Sequence, residues 1–402
     1  MKIIRKAQVS TTTHHAIQLI NVYSCNNVGD AAIYASLVDM AQGITVCWPE
    51  NQQNSLANNL KIGDAAMSHS PCREVDMHLS VGGDIFNNVR PKLITRRFLQ
   101  NLAQLRAQPQ STALFGQSIP RSCQGLSFQL LSSSLKNIAN VTVRDQESYE
   151  RLCKAGVNAN LSYDAVFSQQ LQQRWVESVA YQLHGVINFA ETAIISLRPF
   201  DSLYQYDSQR CLEKIVGLCH ELKQQSYVPT ILQHASVDGK DADALMISEI
   251  QKQCAVKVID PLSINQNTFL KSSHPSLKIS KMTTPWQFTM AAISMAAIVV
   301  GIRYHTSVFR LAANKMPFNV YYSNKGQDLC DRLSVPGVSI QDFCPQQHIG
   351  DILKTADQRF DSQVIRQQVH ADFKQACNDA LSLSQTSEQL NTKQAKRLLK
   401  VH

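Results

Sequence analysis

The sequence predicts an α/β protein made of two successive parallel-sheet units. Three observations predict it. Short apolar runs rich in β-branched residues alternate with stretches of helical periodicity along most of the chain. Glycine, amide or charged residues stand where those runs end, and open parallel sheets bind ligands at the carboxyl ends of their strands. The alternation lapses over residues 168–190, which are rich in glutamine and poorly periodic, and then restarts. At about 150 residues per domain, a length of 402 residues suits two domains, or three.

In the first unit, Ala16 to Tyr23 reads as a strand, a loop carries Asn27, Gly29 and Asp30, and Ala31 to Met40 reads as a helix. Gly29 lets a ligand come close to the backbone. Asp30 suits a helix N-cap, or alternatively a hydrogen bond to a ligand hydroxyl. Ile44 to Trp48 is a second strand. Asp76 to Val81 is a third, ending in GGDIF, where Gly82 and Gly83 indicate close backbone approach. Their spacing is not that of a Walker or dinucleotide loop. Pro91 to Ala107 reads as an amphipathic, basic helix with a solvated face. Thr112 to Gly116 is a fourth strand, followed by Gln117 in GQSIP. Val141 to Val143 is a fifth, leaving Arg144 and Asp145 at its exit before a helix opened by Glu147 and Ser148. Asp164 closes a further strand-like segment.

The second unit opens with strand Ala193 to Leu197, which ends at Arg198 and Pro199. Helix Cys211 to Gln225 and strand Tyr227 to Leu232 follow, the strand ending at Gln233 and His234. Asp238 to Gln253 is a helix and Ala255 to Ile259 a strand. The helical run TPWQFTMAAISMA leads into strand Ala297 to Ile302. Gly301 to Tyr304 carry the chain out of that strand, and a helix runs from Thr306 to a stop at Asn314. Arg303 and His305 therefore stand where strand gives way to helix, an end that attracts anions. Together they suit an anion that also needs a proton moved. The plainer alternative is an arginine paired with a nearby carboxylate and a histidine capping the helix. Pro317 to Tyr322 is the last strand, and residues 361–400 are mainly helical, with a basic end, KQAKRLLKVH, that reads as a solvated tail or, alternatively, as one that rests on a surface or touches anionic lipid.

The formal net charge of +8 favours anionic partners. Basic residues are not interleaved with aromatics, which argues against nucleic acid. The 11 cysteines form no CxxC pair, which argues against a zinc or dithiol motif, and no metal-ligand cluster stands out. The opening residues lack the apolar core of a signal peptide. The longest nearly apolar run, Met290 to Ile302, is shorter than the roughly 20 residues that span a bilayer. Free thiols, no signal and no span lead us to expect a cytosolic protein.

NNVGDAAI, GGDIF, GQSIP, TVRDQES, ISLRP and GIRYHT, in this order and spacing, resemble the polysaccharide pyruvyl transferase family over most of residues 16–335. GGDIF departs from the family's usual triple glycine, with Asp84 at the third position. RYHT departs from the commoner arginine-leucine-histidine-alanine form but keeps Arg303 and His305. The resemblance implies a GT-B-like fold, with two Rossmann-like domains facing across a cleft. We expect these at 1–175, on the acceptor side, and 190–345, on the donor side, with a helical extension over 346–402 packing back. It implies phosphoenolpyruvate as donor, a sugar hydroxyl pair as acceptor, a cyclic pyruvate ketal as product, and Arg198, Arg303 and His305 serving the donor beside Gly301. The chemistry suits those residues. Arginine's planar fork binds phosphate or carboxylate and stays charged. Histidine delivers a proton near neutral pH. No metal or cofactor is required. Asn27, Gly29, Asp30, Gly82, Gly83, Gln117, Arg144, Asp145 and His234 are the candidates for the acceptor side or the cleft, with Asp30 and Asp145 as candidate bases. A lipid-linked acceptor would bring the protein to the anionic inner membrane surface. The alternatives are a glycosyltransferase of the same fold using a nucleotide-sugar and a non-catalytic scaffold of a polysaccharide assembly complex.

Overall fold

The computed structural model describes residues 15–22, 27–42, 44–47, 67–68, 75–88, 93–199, 206–235, 242–262 and 283–398. Tyr23, Trp48, Pro91, Lys92, Asp238 and the last four residues of the basic tail fall outside them. The described strands form two sheets, and every pairing in them is parallel. The first has seven strands: β1 (Ala16–Ile20), β2 (Thr45–Cys47), β3 (Met67–Ser68), β4 (Met77–Val81), β5 (Thr112–Gln117), β6 (Asn140–Val143) and β7 (Ala159–Leu161). The second has six: β8 (Thr192–Ser196), β9 (Val228–Leu232), β10 (Lys257–Ile259), β11 (Ile298–Gly301), β12 (Phe318–Tyr321) and β13 (Gly337–Ser339). The orders are β3-β2-β1-β4-β5-β6-β7 and β10-β9-β8-β11-β12-β13. Both are the Rossmann order, which reverses direction beside the first strand and opens a ligand crevice there. The expected two-unit Rossmann-like architecture therefore holds. Tyr322 does not end the last strand, because the short β13 pairs beyond it.

Helices follow the strands. In the first unit they are α1 (Val28–Met40), α2 (Arg96–Ala107), α3 (Leu126–Leu135) and α4 (Gln146–Lys154). α1 is apolar on nearly every side because it is buried on nearly every side. Its neighbours include helix α8 (Pro285–Met295) of the second unit. The connection over 168–190 is not irregular throughout: it contains α5 (Gln173–Gln182). Only Trp175 and Val179 of that helix are buried, so its periodicity is faint in the sequence. Trp175 meets Trp286 of α8 edge to face at 5.2 Å.

The second unit continues with α6 (Ser208–Gln224), α7 (Ala242–Gln253), α9 (Tyr304–Ala312), α10 (Asn324–Leu333) and α11 (Pro345–Lys354). α11 packs on α6, so it sits with the second unit rather than with the extension expected from residue 346. α12 (Gln363–Leu398) crosses back to the first unit, as expected. It buries Ile365, Val369, Phe373, Ala376, Cys377 and Ala380, spaced three and four apart. Asn140 donates to Asp379 at 2.7 Å, and Phe373 meets Phe115 edge to face at 5.3 Å. Among the described residues no helix is long and apolar enough to cross a membrane. Eight described cysteines are free thiols, but Cys47 is in a disulfide, so the expectation of free thiols throughout fails there.

Candidate active site

The exits of β1 and β4 face the exits of β8 and β11, so the two crevices meet. Together they line a pocket of about 170 Å³. Asn27, Asp30, Gly82, Gly83 and Asp84 come from the first unit, and Arg198, His234, Arg303, His305 and Lys325 from the second. Two backbone ties close this side: the Val28 N–H donates to the His234 carbonyl at 3.0 Å, and Asn27 bridges Ala235.

His305 reaches from α9 into the first unit. α9 starts at Tyr304, two residues earlier than expected, with Arg303 as its N-cap residue. His305 thus lies inside the first turn and does not cap the helix. Its Nε2 stands 3.4 Å from the Asp164 carboxylate. Its other ring nitrogen lies against α1, where a Cβ on Gly29 would be 2.1 Å away. Gly29 is therefore the residue that admits the ring. Asp164 is fully buried, caps a short 3₁₀ turn and accepts from the Val166 N–H at 2.9 Å. Burial pushes its carboxyl upward, but Arg144 and His305 outweigh burial and hold it well below the usual carboxylate range.

Asp30 also lies inside a helix rather than capping it. Asn27 is the N-cap of α1, and its side chain accepts from the Gly29 N–H at 2.9 Å. Asp30 is half-buried beside the Gly82–Gly83 turn, whose φ values of +64° and +72° suit glycine. Burial raises its carboxyl above the ordinary range, against the pull of His305, Lys325 and Arg144.

The cations are tied in pairs. Arg303 donates from Nε to the Leu197 carbonyl at 2.6 Å and from Nη2 to the Asp243 carboxylate. This part of the plainer alternative holds: the arginine pairs with a carboxylate, while still lining the pocket. Arg198 lies over the Tyr322 ring at 4.9 Å. Lys325 donates to Asp84 at 2.6 Å and lies 5.4 Å from the centroid of the Tyr304 ring. Burial pushes the Asp84 carboxyl up, but Lys325 and Arg144 more than offset it and leave it below its ordinary value. The aspartate that replaces the third glycine thus joins the two units.

Arg144 lies deeper and is fully buried. It pairs with Asp164, reaches Asp84 at 3.4 Å and donates to Ser118 at 2.8 Å. His234 hydrogen-bonds Thr306 through Nε2 at 2.7 Å. Burial, then Arg303 and His305, push its pKa well below the ordinary histidine value, so it is neutral at pH 7.

Five expected residues stand off the pocket lining: Gly29 and Arg144, described above, and Gln117, Gly301 and Asp145. Gln117 is buried and donates to Ser80 at 2.9 Å. Gly301 sits where a Cβ would meet Ser307 Oγ at 2.2 Å, so it serves the packing of α9. Asp145 caps α4, accepting from Ser148 N–H at 2.9 Å and from Asn324 at 2.9 Å. Those bonds occupy the carboxylate that the sequence offered as a base. Sequence reasoning passed over Lys325, Asp164 and Asp243 as site residues. Lys325 stands at the exit of β12 and obeys the strand-exit rule that singled out the others. Nothing local marks Asp243. Among the described residues no group of His, Cys, Asp and Glu side chains is gathered to hold a metal ion.

The family model described as polysaccharide pyruvyl transferase matches residues 27–324, most of the chain and nearly the whole pocket. The chain belongs to the polysaccharide pyruvyl transferase family. A sugar or polysaccharide acceptor is implied by that membership. Among curated proteins no relative is found. Two structures of UDP-GlcNAc 2-epimerase from Methanocaldococcus jannaschii are similar in fold at 8% identity. The one in complex with UDP-GlcNAc and UDP has a TM-score of 0.53, covering 86% of this chain and 93% of the other. The second has a TM-score of 0.52, covering 89% and 98%. Anabaena HepE, crystallised with UDP and glucose, has a TM-score of 0.48 and 12% identity, covering 94% and 100%. At these identities the likeness of the epimerase shows the fold of this pyruvyl transferase family member and nothing of its ligands.

Proposed function

We propose that this protein moves pyruvate from phosphoenolpyruvate onto two hydroxyls of a sugar in a surface-polysaccharide or lipid-linked oligosaccharide precursor, forming a cyclic ketal. The observation that carries this reading is one pocket holding His305 among Arg198, Arg303 and Lys325, with Asp30 opposite on the first unit. Cations suit a donor that bears both a phosphate and a carboxylate. His305 protonates the methylene carbon, which leaves C2 electrophilic. The first sugar hydroxyl bonds to C2 and gives its proton to Asp30, whose raised pKa suits a base. The C2–O bond to phosphate breaks; the second hydroxyl then bonds to C2, closing the ring, and gives its proton to the departing phosphate, which leaves as inorganic phosphate. Asp164, tied to Arg144, is the fixed anion that orients the His305 ring. A lipid-linked acceptor would put this work at the cytoplasmic face of the inner membrane.

The test is incubation with phosphoenolpyruvate and a panel of nitrophenyl and lipid-linked sugars, read by mass for the pyruvyl increment and by phosphate release. Transfer from a nucleotide-sugar with no dependence on phosphoenolpyruvate would replace this reading with the glycosyltransferase one. His305→Asn should lower turnover by about 10²–10⁴-fold with little loss of donor affinity, since a group that acts only in the transition state leaves ground-state binding intact. Near-parental turnover in that variant would remove His305 from the chemistry.

A further inference from the structure

Residues 85–144 contain eight basic residues and no acidic one, though Arg144 is buried in the site and Arg121 is paired with Glu147. The described part of this segment builds α2 and α3. α2 turns Phe98, Leu102 and Leu105 into the core. Its outer side keeps Arg96, Arg97 and Arg106 exposed and also leaves Leu99 48% exposed. Leu93, just ahead of α2, is 62% exposed, and Leu126, the first residue of α3, is 60% exposed. Between the two helices lies an apolar groove of about 370 Å³, lined by Leu99, Leu102, Ala103 and Leu130 with Arg106 across it. Arg106 is held there by bonds to Ser134 and the Leu130 carbonyl. Large exposed leucines rimmed by arginines mark an interaction surface.

We infer that this α2–α3 face docks on an anionic phospholipid surface. Interfacial elements present leucine to the acyl boundary and Lys or Arg to the headgroups, which is the pairing found here. A second copy of the chain fits less well, because two such basic faces repel. Nucleic acid fits less well because the apolar residues are leucines rather than stacking aromatics. The placement is also apt. α2 and α3 follow β4 and β5 of a parallel sheet, so both helices begin at the carboxyl end, where the pocket opens. A bilayer on this face would lie beside the pocket mouth, within reach of a lipid-borne acceptor. The inference stands on charge and exposure and does not depend on the donor chemistry.

The test is flotation of the full-length protein with vesicles of equal parts phosphatidylcholine and phosphatidylglycerol, and with phosphatidylcholine alone. We expect binding to the anionic vesicles, weakened by salt. The double variant Arg96→Gln/Arg97→Gln should lose affinity on the order of thirtyfold, about fivefold per charge removed. Leu99→Gln/Leu126→Gln should also weaken binding while keeping the parental melting curve. Both variants retain the basic C-terminal tail. Parental binding in both variants would assign the contact elsewhere and overturn the proposal. So would equal binding to neutral vesicles, no binding at all, or a dimer in sedimentation that the leucine variant abolishes.

Discussion

A methyl group at position 29 would meet His305 almost at bonding distance. Gly29→Ala should therefore displace the ring rather than merely crowd it. A misplacement of about 1 Å in a catalytic group costs on the order of 10²-fold in rate, and that loss in turnover is expected here. Steady-state kinetics would check it, and parental turnover would mean that the ring position is unimportant. Asp164 allows a second prediction. It faces the buried guanidinium of Arg144, and removing one partner of a buried pair costs about 3–5 kcal/mol. Asp164→Asn should lose stability of that order in urea unfolding at neutral pH. The folded pKa of Asp164 is depressed, so its stabilisation is complete above about pH 4, the ordinary carboxylate value, and fades as pH falls below it. The variant should therefore lose less stability than the parent on acidification below about pH 4. Equal losses would show that Asp164 is not the group responsible.

The helix pair α4 and α10 also joins the two units. Asp328 of α10 accepts from the Gln146 N–H at 2.9 Å, satisfying an orphan donor at the start of a helix in the other unit. Arg332, one turn on, donates to the carbonyls of Arg144 and Ser162 and lies over the Tyr163 ring at 4.2 Å. Burial lifts the Asp328 carboxyl to about 6, against the Gln146 N–H and Arg332, with Asp145 adding to the rise. A raised carboxyl favours the folded state below its unfolded pKa of about 4 and loses that advantage as pH rises through about 6. Asparagine keeps the acceptor without the charge. The melting temperature of Asp328→Asn relative to the parent should thus be higher at neutral pH than at about pH 4. A difference independent of pH would refute the assignment.

At the scale of the molecule, the first unit is completed by the last helix. The apolar stripe of α12 covers β4, β5 and β6, and Phe373 is 3% exposed. Phe373→Ala should cost about 3–5 kcal/mol, the range for emptying a buried aromatic site. Denaturant unfolding would read it, and a loss under about 1 kcal/mol would mean that α12 is an appendage. The two units share one apolar cluster that runs through α1, α5, α8 and α9. The pocket is therefore framed by a continuous core as well as by polar contacts at its edges.

Local periodicity in the chain determined the alternation of strands and helices, the break between the units and the strand exits where Arg198, Arg303 and His305 stand. Those three line the pocket because parallel connections return every strand exit to the same edge of its sheet. Tertiary structure alone decided what each side chain does there. Arg303 pairs with Asp243, 60 residues away; Asp145 is held by Asn324 across 179 residues; Lys325 meets Asp84 across 241. It also decided that Asp30 and His305 lie within first helical turns, since a cap is set by backbone geometry and not by residue type alone. Hydrophobic period reports which face a residue turns inward, and it carries no information about which distant residue will be folded against it.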